Sequence, residues 1–209
     1  MTEKKEKEHK RKKGLFIVCE GLDGAGKTTT IKEFLKRHNA DSDYVYSKGL
    51  KSKTFMGRIT ARKPSTITFL LELAYVTYAI VKPSLRKHKN VIQDRYDLSV
   101  LSYNASARTL QEKVVAFLVK PFLRKPDLLV YFQVDLEERI RRLKMEAGNK
   151  YHALLIKNPD LIRCREKNYS GLIKTYDCKK AIINTTNKSI DAVVGEFESA
   201  LARQQVYEI

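Results

Sequence analysis

The sequence predicts an α/β protein, a five-stranded parallel sheet with helices on both faces. Three observations carry this expectation. Short apolar runs rich in β-branched residues recur at 15–19, 44–47, 91–93, 128–134 and 181–183. They alternate with longer stretches, 28–38, 65–85, 110–123, 136–145, 159–176 and 190–204, whose apolar residues fall three and four apart. The first run also passes through a glycine-rich loop directly into the first amphipathic stretch, the order of a parallel strand-to-helix unit. No Pro-, Gly- or Ser-rich linker divides the 209 residues, and 43% of them are hydrophobic. One domain spanning 14–209 is therefore expected behind a tail of residues 1–13.

The first strand, Leu15-Phe16-Ile17-Val18-Cys19, runs into Glu20-Gly21-Leu22-Asp23-Gly24-Ala25-Gly26-Lys27-Thr28-Thr29, which contains the pattern Gly-x-x-x-x-Gly-Lys-Thr. Without side chains at Gly21, Gly24 and Gly26, successive backbone N–H groups can turn inward around an anion, with Asp23 and Ala25 between them. Lys27 then reaches the β and γ oxygens of a nucleotide. Thr28 offers its hydroxyl to a phosphate-bound Mg²⁺, Thr29 leads on into the helix, and the helix directs its positive end at the same anion. The chemistry this loop predicts is binding of ATP, or a similar triphosphate, with Mg²⁺.

The second strand ends in Tyr46-Ser47-Lys48-Gly49, and the long apolar helix 65–85 meets Pro83 near its end, where a kink is expected. After the third strand comes Asp94-Arg95-Tyr96-Asp97-Leu98-Ser99. A carboxylate at the end of a buried strand, beside a phosphate loop, suits Asp94 to anchor Mg²⁺. Arg95 presents a planar fork of donors suited to a second phosphate, that of an acceptor. Ligands of such sheets sit beyond the carboxyl ends of the strands, where the residues after Cys19, Tyr46, Gln93 and Val134 fall. Asn184-Thr185-Thr186-Asn187, after the last strand, is expected beside the donor's base.

Net charge is +17, of which residues 1–13 contribute +4. That tail is too polar to pack and is expected to be disordered. The excess positive charge draws polyanions, so a nucleotide and, through the basic surface, nucleic acid are both admissible partners. No run of about 18 apolar residues exists, so no membrane span is expected. Cys19, Cys164 and Cys178 lack metal-ligand spacing and fit reduced thiols in a cytoplasmic protein.

The blocks Glu20 to Thr29, Val91-Ile92-Gln93-Asp94-Arg95-Tyr96 and Pro126-Asp127-Leu128-Leu129-Val130-Tyr131, in that order and spacing, resemble the thymidylate kinase family. The resemblance runs from about residue 15 to 140 and more loosely to the C-terminus. It implies the P-loop nucleotide kinase fold with a basic lid, a homodimer, and transfer of the ATP γ-phosphoryl group to a deoxynucleoside 5′-monophosphate, dTMP to dTDP foremost. It also implies that Asp23 faces the acceptor's sugar and phosphate, and that Arg95 grips that phosphate. Tyr103, seven residues after Tyr96, would pack on the deoxyribose and exclude a 2′-hydroxyl. Aligning Val81-Lys82-Pro83-Ser84-Leu85 with the family's corresponding helix places Phe69 where an aromatic ring stacks on thymine.

Departures from the family leave the acceptor open. The family's base-reading arginine, four residues after that Phe, is Leu73 here, and a small polar residue after the Ser of Asp-Arg-Tyr-x-x-Ser is Val100. The segment that contacts the acceptor in the family reads Tyr46-Ser47-Lys48-Gly49-Leu50-Lys51, with Lys48 as the available cation.

The phosphate loop has no arginine, so a catalytic cation must come from elsewhere. Arg139-Ile140-Arg141-Arg142-Leu143-Lys144 leads into the expected lid, about 144–158, and by the resemblance Arg142 is the residue that acts there. Arg163 and Arg165, before Tyr169, are similar to the family's arginine-rich helix after the lid. Two alternatives keep the loop. One is a kinase of the same fold for another pyrimidine nucleotide, a nucleoside or a hydroxymethylated base in DNA, with Glu20 or Asp94 as base. The other is a nucleic-acid-stimulated ATPase switch.

Overall fold

The computed structural model describes residues 14–38, 43–50, 52–103, 110–145 and 150–206; the expected tail and residues 146–149 of the expected lid lie outside them. Five strands, β1 (Phe16–Glu20), β2 (Tyr44–Lys48), β3 (Asn90–Asp94), β4 (Leu128–Gln133) and β5 (Lys179–Asn184), form one sheet in the order β2-β3-β1-β4-β5, and every pairing is parallel. The chain builds outward from β1 to one side and then to the other. The crevice where the order reverses therefore opens at the carboxyl end of β1.

Along β1 the side chains alternate between two cores. Phe16 and Val18 join Leu73, Val76, Val91, Leu129, Tyr131 and Tyr169 on one face, while Ile17 and Cys19 join Ile31, Phe34, Ile92, Val130, Phe132 and Phe197 on the other. The first face is covered by α3 (Thr66–Val76), α5 (Asp97–Tyr103) and α9 (Pro159–Thr175), the second by α1 (Lys27–His38) and α10 (Ile190–Val206). Each large apolar side chain so buried contributes about 1.5–3 kcal/mol. Among the described residues, no helix is long and apolar enough to cross a membrane, and all three cysteines are free thiols.

Three helices were not legible in the sequence: α2 (Phe55–Arg62), the short α5, and α8 (Lys150–Lys157) within the expected lid. The helix expected at 65–85 is broken in three. Its first part, α3, opens on a Ser65/Thr68 capping box. A π-turn follows at Thr77–Val81, then α4 (Lys82–Arg86). Pro83 has no N–H, and just before it the Lys82 N–H bonds back five residues to the Thr77 carbonyl. The expected kink is thus a widened turn. Beyond it lie α6 (Leu110–Val119), a 3₁₀ turn at Lys120–Phe122, and α7 (Leu136–Met145).

Glu20, the last residue of β1, is fully buried and fully engaged. Its carboxylate accepts hydrogen bonds from the N–H of Tyr96 (2.8 Å) and Ser99 (3.0 Å), the Ser99 hydroxyl (2.6 Å) and the Tyr169 hydroxyl (3.1 Å). It thereby pins the first turn of α5 and the middle of α9 to the end of the central strand. Glu20→Ala would leave these donors buried without an acceptor. The expected loss is about 3 kcal/mol of unfolding free energy, read as a lower urea midpoint at unchanged slope.

Candidate active site

On one side of the glycine loop the structure gathers Lys27, Thr28 and Asp94. Gly21, Gly24 and Gly26 all have positive φ, and a Cβ at Gly21 would fall 2.5 Å from the Phe132 carbonyl oxygen, so only glycine fits the junction of β1 with β4. The loop closes through the Ala25 N–H donating to the Leu22 carbonyl at 3.3 Å. Lys27 is buried, and its ammonium donates to the carbonyls of Gly21 (2.8 Å) and Leu22 (2.9 Å). Burial, and next the nearby Arg95 guanidinium, lower its pKa to about 8, while Asp94, Asp23 and Glu20 pull it back.

Thr28 donates its hydroxyl to Oδ2 of Asp94 at 2.6 Å, and the Tyr46 hydroxyl donates to the same oxygen at 3.3 Å. The second carboxylate oxygen, Oδ1, is buried with no hydrogen-bond partner among the described residues. A hydroxyl and a carboxylate are hard oxygen donors that fit Mg²⁺. Among the described residues, no group of three or more His, Cys, Asp or Glu could hold a metal ion. Tyr46 was missed as a site residue. Its register opposite Ile92 puts it on the Asp94 face of the sheet, a signal available only once the strands are paired.

On the other side, Arg95 is ion-paired with Asp23. Arg95 has a φ of 71°, and its N–H donates to the Cys19 carbonyl at 3.0 Å, which aims its fork across the loop. Phe69 is half-buried on α3 against the core, whereas Leu73 and Val100 are core residues at 0% and 2% exposure. Lys48 is exposed. Tyr103 ends α5, and its side chain lies outside the described residues.

The arginines are distributed differently from the expectation. Arg142 donates to Glu138 (2.8 Å), to the Gly24 carbonyl (3.3 Å), and to the Thr185 hydroxyl (2.9 Å) and carbonyl (2.7 Å). It braces the phosphate loop against the loop after β5, where Gly26, Thr29, Arg142, Thr185, Lys188 and Val193 line a cavity of about 260 Å³. Arg142 thus lies on the helix expected to lead into the lid, against the phosphate loop, with Glu138, one turn earlier on α7, and Thr185 holding it on the α10 side. Arg139, on the inward stripe Leu136-Arg139-Ile140-Leu143, is the buried arginine of α7 and donates to the Val134 carbonyl (3.1 Å) and Glu166 (2.7 Å). Arg163 is exposed and paired with Asp160 at 2.7 Å. Arg165 instead hydrogen-bonds the Tyr151 hydroxyl of α8 and stacks on that ring at 5.3 Å. It also shares a small cavity with Leu22, Asp23 and Arg139. Burial raises the Tyr151 pKa, and the charges of Arg165, Asp23 and Arg95 act on it as well. Glu20, considered as a base, is committed to the four donors described above.

A family model described as thymidylate kinase matches residues 19–196. A probable thymidylate kinase from Methanococcus maripaludis is 28% identical over 194 residues, covering 89% of this chain and 94% of the relative. The thymidylate kinase of Buchnera aphidicola is 29% identical over 207 residues, covering 84% of this chain and 97% of the relative. In fold, the chain is similar to the solved thymidylate kinase of Candida albicans, with a TM-score of 0.69 at 20% identity over 92% of this chain and 94% of that one.

The depressed Lys27 pKa has a defined sign. Above about pH 8 the amine is neutral, and a bound polyphosphate restores its charge, so triphosphate binding takes up a proton and weakens as pH rises through that value. Calorimetry at pH 8.5 in buffers of different ionisation enthalpy should report uptake, and Lys27→Met should abolish it.

Proposed function

Because the chain belongs to the thymidylate kinase family, we propose that it transfers the γ-phosphoryl group of ATP to dTMP, with Lys27, Thr28 and Asp94 serving the donor and Asp23 and Arg95 the acceptor. The observation that carries this reading is the convergence of two cationic sites on one glycine loop. Lys27 lies on the donor side and Arg95 on the other, close enough that each charge is felt by the other.

Phosphoryl transfer needs position and charge neutralisation more than covalent help. An oxygen of the dTMP phosphate attacks Pγ, the bond from Pγ to the bridging oxygen of ADP breaks, and dTDP leaves. The attacking oxygen is already anionic, so no base is required. Arg95 exchanges Asp23 for the acceptor phosphate and fixes that oxygen. Lys27 transfers its hydrogen bonds from the carbonyls of Gly21 and Leu22 to phosphate oxygens, where its restored charge offsets the negative charge that builds as the bond loosens. Thr28 and Asp94 are the residues that would hold Mg²⁺, which would supply charge neutralisation on the donor phosphates. Arg142 and Thr185 frame the cavity for the donor's base. Arg142, against the phosphate loop, and Arg165, held by Tyr151, are the arginines available as the added cation. Helix α8, which carries Tyr151, is the element that would keep water from competing with dTMP.

The chain's exposed apolar surface supports a homodimer. Leu71, Tyr75 and Tyr78 on α3 and the π-turn adjoin Val114, Phe117 and Leu118 on α6, with exposures of 41–77%. A contiguous apolar face of this kind marks an association surface, and a second copy presents the same face across a two-fold axis.

ATP turnover should require dTMP and stay at background with DNA or nucleosides; Lys27→Ala should lower it at least about a hundredfold. Arg95→Ala should raise the KM for dTMP about 30-fold while moving that for ATP less than about threefold; the opposite split would reassign Arg95 to the donor. In sedimentation, Phe117→Glu should convert a dimer to a monomer.

A further inference from the structure

We propose that Gln93, with Ser47 beside it, belongs to the acceptor site and hydrogen-bonds the edge of the acceptor's pyrimidine base. The inference rests on the dTMP reading above and deepens it. Gln93 is the penultimate residue of β3. Strand alternation sends Val91 and Gln93 to the α3 face and Ile92 and Asp94 to the α1 face, the latter confirmed by the Asp94 contact with Thr28. Gln93 therefore lies one residue from Asp94 and two from Arg95, on the side of the sheet away from the metal ligands. Ser47 is its register partner on β2 and shares its face.

Both side chains are buried, Gln93 at 0% and Ser47 at 1% exposure. Neither amide atom of Gln93 nor the Ser47 hydroxyl has a hydrogen-bond partner among the described residues. A carboxamide left so costs about 1–3 kcal/mol, which an aliphatic residue of the same shape would avoid. The amide is not turned into a random gap. A Cβ on Gly49 would lie 3.0 Å from its nitrogen and 1.7 Å from the Arg95 carbonyl oxygen, so the turn after β2 is built closely around Gln93 and the residue proposed to bind the acceptor phosphate.

The chemistry of the three atoms suits a pyrimidine. A carboxamide presents one acceptor and a pair of donors side by side, the complement of the N3–H and adjoining carbonyl of thymine, and Ser47 adds a hydroxyl that donates or accepts. The residues at the family's base-reading positions, Leu73 and Val100, are packed into the same core and offer no polar atom. Phe69 packs against that core from α3, so an aromatic ring and the Gln93 amide belong to the same face of the sheet. The methyl group of thymine is not what Gln93 reads. dTMP and dUMP should accordingly depend on it equally.

The test combines calorimetric binding of dTMP, dUMP and dCMP with turnover, for the wild type, Gln93→Leu and Ser47→Ala, with thermal unfolding of each protein without nucleotide. Gln93→Leu should weaken dTMP and dUMP alike by about tenfold or more, leave the KM for ATP within about twofold, and not lower the unfolding temperature. Ser47→Ala, a smaller change, should weaken them in the same direction. Unchanged binding in both variants would overturn the proposal and leave the amide holding only a buried water. A wild type that binds but does not phosphorylate dTMP would overturn the acceptor reading instead, because the binding arm reads Gln93 independently of turnover.

Discussion

The buried carboxylate of Glu20 is the constraint on which the site depends. A charge with no exposure is tolerated only when its lone pairs are met, and here four donors from two separate segments meet them. Two of those donors are backbone amides at the start of α5, so the anion also sits against the positive end of that helix. The phosphate loop leaves β1 at Gly21, and Arg95, proposed for the acceptor, precedes Tyr96. One side chain thus fixes the separation of the two anion sites across the end of a single strand.

The charges left over from that arrangement are held in reserve by neighbours rather than by solvent. Lys27 rests on two carbonyls, Arg95 on Asp23, Thr28 on Asp94, and Arg165 on Tyr151. Each partner is a group that a phosphate oxygen or a cation can replace without a large movement of the backbone. Such a site has most of its reorganisation done before the substrates arrive, which is where preorganised electrostatics gains its advantage over water.

Much of this was legible in the residues. The short apolar runs, the glycine spacing and the Asp94-Arg95 pair act locally, and the five strands fall within a few residues of their expected bounds. What was not legible depends on pairing between distant segments. Arg142 and Arg139 are three residues apart on one helix, and only the packing of α7 against the phosphate loop and α9 decides which is buried. Arg163 and Arg165 look equivalent in the chain, yet one pairs with Asp160 in solvent and the other docks on α8. Gln93 reads as an ordinary strand residue until the structure pairs it with Ser47 and leaves its amide without a hydrogen-bond partner among the described residues. Helix α2 escaped notice because it spans only eight residues, and its start depends on Thr54 capping the Gly57 N–H.

The widened turn at Thr77–Val81 also sets which side chains of this helix reach the core. A π-turn accommodates one more residue than an α-helical turn in nearly the same length, so the helix downstream is rotated against the helix upstream by about one residue's worth of angle. The core shows the step: Leu70, Leu73 and Val76 turn inward at three-residue spacing, and the next buried apolar side chain, Val81, follows five residues on. A single helical count cannot assign the inward face of both halves, so each half presents its own stripe to the sheet.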